Sequence, residues 1–362
     1  MAISNENSLV CKLHVEAIQT IVPTKPTDPR QSFKLLIFPQ NDHLNSILQR
    51  RFHIILCYDR ACDEDSGWLV AGRLKESLGR ALQDEPLLAG RLRRCEDQCG
   101  EELEIVSNDS GVRLVEAKVD VKLADFVELK GGKEGFEGEL VFWEDVVEKN
   151  PQFSPLFYVQ VTNFTCGGYS IGISCSLLLE DPFVLTTFLK RFSKTDVPKI
   201  PTFYHPNFGK PTSSPSLLMG SNNSGKNAAQ SVIFQIPTKI LDLDNNIHKK
   251  IAGLCIGEAE RETGRKMASK LSLFVKVPFE DAKVEICSRQ VLLESSLGKI
   301  NGLSCARTWD ELGLESICFN EGNKPVYVSC WINSVVDDEG FVMIIPSSDD
   351  NTSGMKIIVT FT

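Results

Sequence analysis

The chain runs to 362 residues, long enough for two domains and a sizeable buried core, with 42% apolar and 24% charged residues. A net charge of −9 argues against a nucleic-acid surface and against a polybasic membrane patch. No apolar run approaches the roughly 18 residues a transmembrane helix needs, and the segment Met1–Leu9 is polar, so the chain reads as a cytoplasmic protein without a secretory leader or lipid anchor.

From the N-terminus, Leu9–Thr20 alternates apolar and polar residues, a strand pattern that ends at the Pro-Thr-Lys-Pro of 23–26. His53–Tyr58 is a second short strand. Trp68–Leu82 carries apolar residues at helical spacing, and Pro86 closes it. Glu102–Ile105 and Val112–Glu116 read as a pair of short strands joined by a turn at Asn108-Asp109-Ser110-Gly111. Phe157–Phe164 and Tyr169–Cys175 form a hairpin around Cys166-Gly167-Gly168, with a close backbone approach expected at Gly172. Pro182 suits the first turn of a helix over Phe183–Phe192.

Residues 194–230 are rich in Pro, Ser, Asn and Gly and read as a linker. Beyond it, Ser231–Ile236 is a strand and Asn246–Thr263 a helix. Strand candidates follow at Leu271–Val277, Val284–Cys287, Ser316–Phe319, Val326–Trp331, Gly340–Ile345 and Met355–Phe361. Turns are expected at Asp337–Gly340 and Ser347–Gly354. The boundaries predict a first domain at 1–195, a linker at 196–230 and a second domain at 231–362, in an α/β or α+β architecture.

Chemistry-bearing patterns are sparse. The five histidines, His14, His43, His53, His205 and His248, have no partner ligands at metal-binding spacing, so no metal site is expected. His14 and His53 read as surface or satisfied core residues. Cys95 and Cys99 lack a second close pair, and Cys57, Cys166, Cys175 and Cys255 lie in apolar segments, which points to reduced thiols. There is no Gly-x-Ser-x-Gly elbow, no phosphate-cradling loop and no dinucleotide fingerprint.

One stretch says more. Phe153-Ser-Pro-Leu156, a strand, Cys166-Gly-Gly-x-x-x-Gly172, then Leu177-Leu-Leu-Glu-Asp181 and a helix resemble the plant BAHD acyl-CoA-dependent acyltransferases. That family carries a His-x-x-x-Asp motif at this place. Glu85–Arg91 resembles its Pro-Leu-Ala-Gly-Arg turn, and Asn108–Glu116 its Asn-x-x-Gly-x-x-x-Val-Glu segment. Three motifs in order cover residues 8–195; the second half matches in patches at Ser231–Phe234, Lys283–Arg289 and Glu315–Trp331. Within the family the chain is most similar to the eceriferum/glossy clade of wax biosynthesis.

The resemblance implies an α/β, two-domain chloramphenicol-acetyltransferase-like fold, with mixed sheets, flanking helices and a shortened second domain. It also implies an acyl-CoA or fatty acyl ligand, no bound cofactor and a monomeric state. In the family the histidine is the general base, and here Leu177 stands in its place. A one-residue slip offers Ser176, a weak base. The family's aspartate is structural and pairs with an arginine of the second domain, which implies an Asp181–Arg289 pair; the alternative is an exposed Asp181 capping the helix at 183. Gly167, Gly168 and Gly172 belong to the site hairpin.

The family's second motif, Asp-Phe-Gly-Trp-Gly before Lys-Pro, survives only as Cys318-Phe-Asn-Glu-Gly-Asn323 before Lys324-Pro325. Residues 235–300 are compressed against the family pattern, and the chain stops at Thr362 without the usual last helix, which leaves a splice variant or an incomplete gene as one origin. Whether the chain is an enzyme stays open. The leading expectation is a non-catalytic, eceriferum-like accessory factor in very-long-chain fatty-acid and wax elongation. It would be peripheral to the endoplasmic reticulum and in contact with an elongase condensing enzyme. The alternatives are an O- or N-acyltransferase with an unusual site, and a lyase on the same scaffold.

Overall fold

The computed structural model describes residues 13–38, 44–62, 65–95, 102–129, 136–194, 230–237, 246–276, 281–296, 304–306, 309–320, 322–333, 339–346 and 354–361. The expected linker at 196–230 lies outside them, Gln230 apart, as do His43, His205 and Cys99.

The strands of the first part are β1 (Leu13–Ile21), β2 (Ser32–Phe38), β3 (Arg51–Tyr58), β4 (Arg91–Arg94), β5 (Leu103–Val106), β6 (Val112–Val119), β7 (Phe157–Asn163) and β8 (Tyr169–Ser176). The later strands are β9 (Ser231–Pro237), β10 (Lys270–Val275), β11 (Ala282–Ser288), β12 (Ser304–Ala306), β13 (Tyr327–Ile332), β14 (Glu339–Pro346) and β15 (Gly354–Thr360). Helices are α1 (Leu44–Leu48), α2 (Gly67–Asp84), α3 (Leu123–Leu129), α4 (Pro182–Phe192), α5 (Ile247–Thr263) and α6 (Arg289–Glu294).

The described residues form two mixed sheets, the α/β arrangement expected. One has the order β1-β6-β7-β8-β3-β13, the other β12-β9-β15-β14-β10-β11-β2-β5-β4. The strands interleave along the chain. β2, β4 and β5 pair into the sheet built mainly from later residues, β2 lying parallel to β11, while β13 returns to pair antiparallel with β3.

Two expectations are corrected here. β5 and β6 flank the turn at 108–111 as expected but go to different sheets, so the pair read from the sequence is a crossover between sheets and the two strands are not bonded to each other. The turn itself is held by long-range bonds. Asp109, at φ 55°, accepts from the Thr27 amide (2.9 Å) and hydroxyl (2.6 Å), and Gly111 donates to Ala89 O (2.9 Å). The strand expected at Ser316–Phe319 is absent; a 3-10 turn at Leu314–Ser316 occupies its start.

The hairpin β7–β8 forms as expected, antiparallel from Phe157↔Cys175 to Asn163↔Tyr169, with Gly167 at φ 88° in its turn. Every residue of β8 is buried, so it reads as a central strand covered on both faces. A Cβ on Gly172 would sit 1.8 Å from Leu140 O; only glycine admits that segment, which is the close approach read from the sequence. α2 begins at Ser66, whose hydroxyl accepts from the Leu69 amide (3.4 Å), and α5 ends at Gly264 in the left-handed region.

The main core takes in residues of both sheets together with the buried faces of α2 and α4. Phe52, Ile54, Leu56 and Tyr58 of β3 share it with Phe274 of β10 and with Phe341 and Met343 of β14. The alternate residues of β3, Ile55 and Cys57, join a separate cluster on the opposite face with Phe126 and Leu140.

Candidate functional site

β8 delivers the chain to the turn at Ser176–Asp181. Ser176 N donates to Leu156 O (2.9 Å), Leu177 N to Arg50 O (3.0 Å), and Leu179 N and Glu180 N fold back onto Ser176 O. The hydroxyl of Ser176 accepts from Leu178 N (3.3 Å), and the residue is fully buried. Leu177, Leu178 and Leu179 are exposed by no more than 2% and belong to the main core. The turn is therefore a hydrocarbon plug. Leu177 has no proton-accepting group, and the Ser176 hydroxyl is buried against the main chain of its own turn.

Asp181 closes the turn and starts α4. One carboxylate oxygen accepts from Phe183 N (2.9 Å) and Val184 N (3.1 Å), an N-cap that satisfies two amides with no partner inside the helix. Pro182 follows at the first helical position, as expected, and Lys190 and Arg191 stand in the last turn. Burial pushes the Asp181 carboxyl above its ordinary value against the pull of Lys276.

The expected Asp181–Arg289 pair does not form. Arg289 makes a two-pronged bond to Glu260, at 2.6 Å from both Nε and Nη2, and so joins α6 to α5. The cation that reaches the turn from the later residues is Lys276, at the end of β10. Its Nζ donates to Leu179 O (2.8 Å) and pairs with Glu180 (2.8 Å). A lysine interrupting the apolar run Leu271–Val277 was the signal for it. The turn also has a buried strut behind it. Arg50, fully buried, donates from Nη2 to Glu339 O (3.1 Å), lies 3.7 Å from that carboxylate and stacks over the Phe341 ring at 5.5 Å. Ser272 donates to the same Glu339 carboxylate. Glu339, read from the sequence as a turn residue, is the first residue of β14.

The two other family-like segments meet elsewhere. Arg91 Nη1 donates to Gly90 O (2.8 Å) and Gly111 O (2.7 Å), and Nη2 to Ser110 O (3.2 Å). Burial, with the charge of Arg113, lowers its pKa to about 10. Glu85–Arg91 and Asn108–Glu116 thus form one structural knot. Of the segment set against the family's second motif, Asn323 is buried and donates to Asp59 O (2.8 Å) and Asp65 (2.7 Å), Lys324 is exposed, and Pro325 is half-buried.

The described histidines do not serve the turn. His14 is an exposed neighbour of Asp120 (3.5 Å), and His248 sits on α5, its pKa lowered by burial and by Lys283. His53 is buried, its Nδ1 2.8 Å from the Ser174 hydroxyl and its ring 5.0 Å from that of Trp331. It alternates with Phe52 and Ile54 and so belongs to the face away from Leu177. Among the described residues there is no cluster of metal-ligating side chains, and no helix is long and apolar enough to cross a membrane.

With this geometry in place, the family model called "Transferase family" matches residues 11–261. The chain belongs to that family, the BAHD acyltransferases. It is similar to Protein ECERIFERUM 2 of Arabidopsis thaliana, 32% identical over 120 residues, covering 33% of this chain and 27% of that protein. It is similar to acetyl-CoA-benzylalcohol acetyltransferase of Clarkia breweri, 26% identical over 185 residues, covering 49% and 41%. These matches span well under two thirds of either relative. Among solved structures, vinorine synthase aligns over 97% of this BAHD chain and 95% of its own, with 17% identity and a TM-score of 0.47.

Proposed function

We propose that this BAHD-family chain is a non-catalytic, eceriferum-like accessory factor in very-long-chain fatty-acid and wax elongation. It acts by contact with a condensing enzyme at the cytoplasmic side of the endoplasmic reticulum. The observation that carries the reading is the apolar, core-packed turn at Leu177–Leu179, where the family's chemistry needs a base within hydrogen-bond reach of a hydroxyl or amine. Loss of general-base catalysis alone removes about 10²–10⁴-fold in rate. The similarity to ECERIFERUM 2 supports the choice of pathway.

Expression in a wax-deficient plant line is the direct test. Restored chain length, co-purification with elongase components and no thioester turnover by the purified protein are the expected results. Turnover of acyl-CoA with alcohols or amines that disappears in Ser176→Ala would overturn the reading and favour an unusual transferase. Cleavage of a substrate without any acyl donor would favour a lyase.

A further inference from the structure

Among the described residues each sheet ends in two outer strands, and three of these four edges carry a feature that discourages a further strand. β1 has a register shift between Val15 and Ala17 and an ion pair between Glu16 and Lys118 (2.7 Å). β12 is only three residues long. β4 has arginine at three of its four positions, Arg91, Arg93 and Arg94. Bulges, short length and charge are the devices that keep sheet edges from pairing. β13 has none of them. Its Tyr-Val-Ser-Cys-Trp-Ile contains no charge and no proline, and it pairs with β3 from Tyr327↔Cys57 to Ile332↔Phe52 without a shift.

The strand also turns bonding groups outward. Asn333, the next residue, donates its amide to Arg51 O (3.1 Å). The alternation of an antiparallel ladder then directs the main-chain N–H and C=O of Val328 and Ile332 away from β3. Val328 and Cys330 pack against the main core, Tyr327 and Trp331 against the cluster on the other face. A strand laid on this edge would prolong apolar layers on both sides. We propose that β13 is the seam of a two-fold dimer, in which β13 of a second copy adds antiparallel and joins two six-stranded sheets into one. A second copy is the occupant because the strand is its own complement. A two-fold axis at Cys330 sets Val328 of each copy against Ile332 of the other, a β-branched cross-strand pair made twice, and no like charges meet. A ladder of six residues is small against the area a stable interface buries, so the association depends on concentration. The dimer goes beyond the accessory-factor reading, does not rest on it, and replaces the monomeric state that the family resemblance implies.

Sedimentation equilibrium, paired with amide exchange over a wide range of concentration, tests the seam. The mass is expected to climb from 40.3 kDa towards twice that value as concentration rises. The amides of Val328 and Ile332 should exchange more slowly in step, with those of β7 and β8 unchanged. Ser329→Lys, at a half-buried position on the same strand, brings two cations together across the seam and should hold the chain at 40.3 kDa. Unaltered exchange in β7 and β8 would show that this variant still folds. A mass of 40.3 kDa at every concentration of the parent chain would overturn the proposal. So would a dimer whose Val328 and Ile332 amides exchange at the monomer's rate, or a folded Ser329→Lys variant that dimerises as readily as the parent.

Discussion

The knot around Arg91 and the turn at Leu177 both lie in segments that match the family, and they are held in opposite ways. Arg91 satisfies three main-chain carbonyls from two turns, with Asp109 and Gly111 closing the same junction. The Leu177 turn is secured by leucine packing, with its polar ties pushed to either side: Arg50–Glu339 behind it, Glu180–Lys276 beside it and the Asp181 cap below. The first kind of motif reports architecture. The second reports chemistry. At Leu177 packing volume is the constraint, and a hydrocarbon that fills the position stabilises the core by about 1.5–3 kcal/mol over an exposed one.

The comparison breaks most visibly at Arg50. Arg50→Ala leaves Glu339 buried without its cation and is expected to cost about 3–5 kcal/mol, measured by chemical denaturation. A cost below about 1 kcal/mol would show that the strut is not what holds the turn. Leu177→His restores the family's residue type but puts an imidazole into an apolar core. We expect a loss of about 2–4 kcal/mol and no thioester turnover; a stable, active variant would mean that the turn opens. Asp181→Ala removes an N-cap and should cost about 1–2 kcal/mol, well short of the loss a broken buried ion pair would give. A loss above about 3 kcal/mol would reinstate an ionic role for it.

The smallest effect is a pH dependence. Burial would raise the Glu260 carboxyl, but the bonds from Arg289 and the Met267 amide, with the neighbouring positive charges, hold it below its usual range. The unfolded chain then takes up that proton first as pH falls, so the pair's stabilisation is present above the ordinary glutamate range and is lost as pH drops through the depressed value. Glu260→Gln should flatten that part of the stability curve, and an unchanged slope would count against the Glu260–Arg289 pair.

Much of the fold was legible because local signals sufficed. The β7–β8 hairpin, the approach at Gly172, α2 and α4 follow from apolar periodicity, glycine placement and a proline at a helix start. What failed was pairing at a distance. β2 went unread because Ser32–Phe38 lacks clear alternation and gains its place by lying beside β11. The strands on either side of the turn at 108–111 were read as a pair because a turn signal does not say which sheet each strand will join. Resemblance placed a cation from the later residues at the site but chose Arg289, whose reach is taken by Glu260, over Lys276.

By itself the sequence determined the family, the run of local elements and the hydrocarbon side chain at Leu177, since these depend on residue identity and short-range pattern. Only the tertiary structure decided that Ser176 is buried in its own turn, that Arg50 and Lys276 brace that turn, and that Asp181 works as a helix cap. Those outcomes turn on which charged groups become neighbours after two interleaved sheets close on a shared core. Burial, which makes an unpaired charge costly, selects the pairs only at that stage.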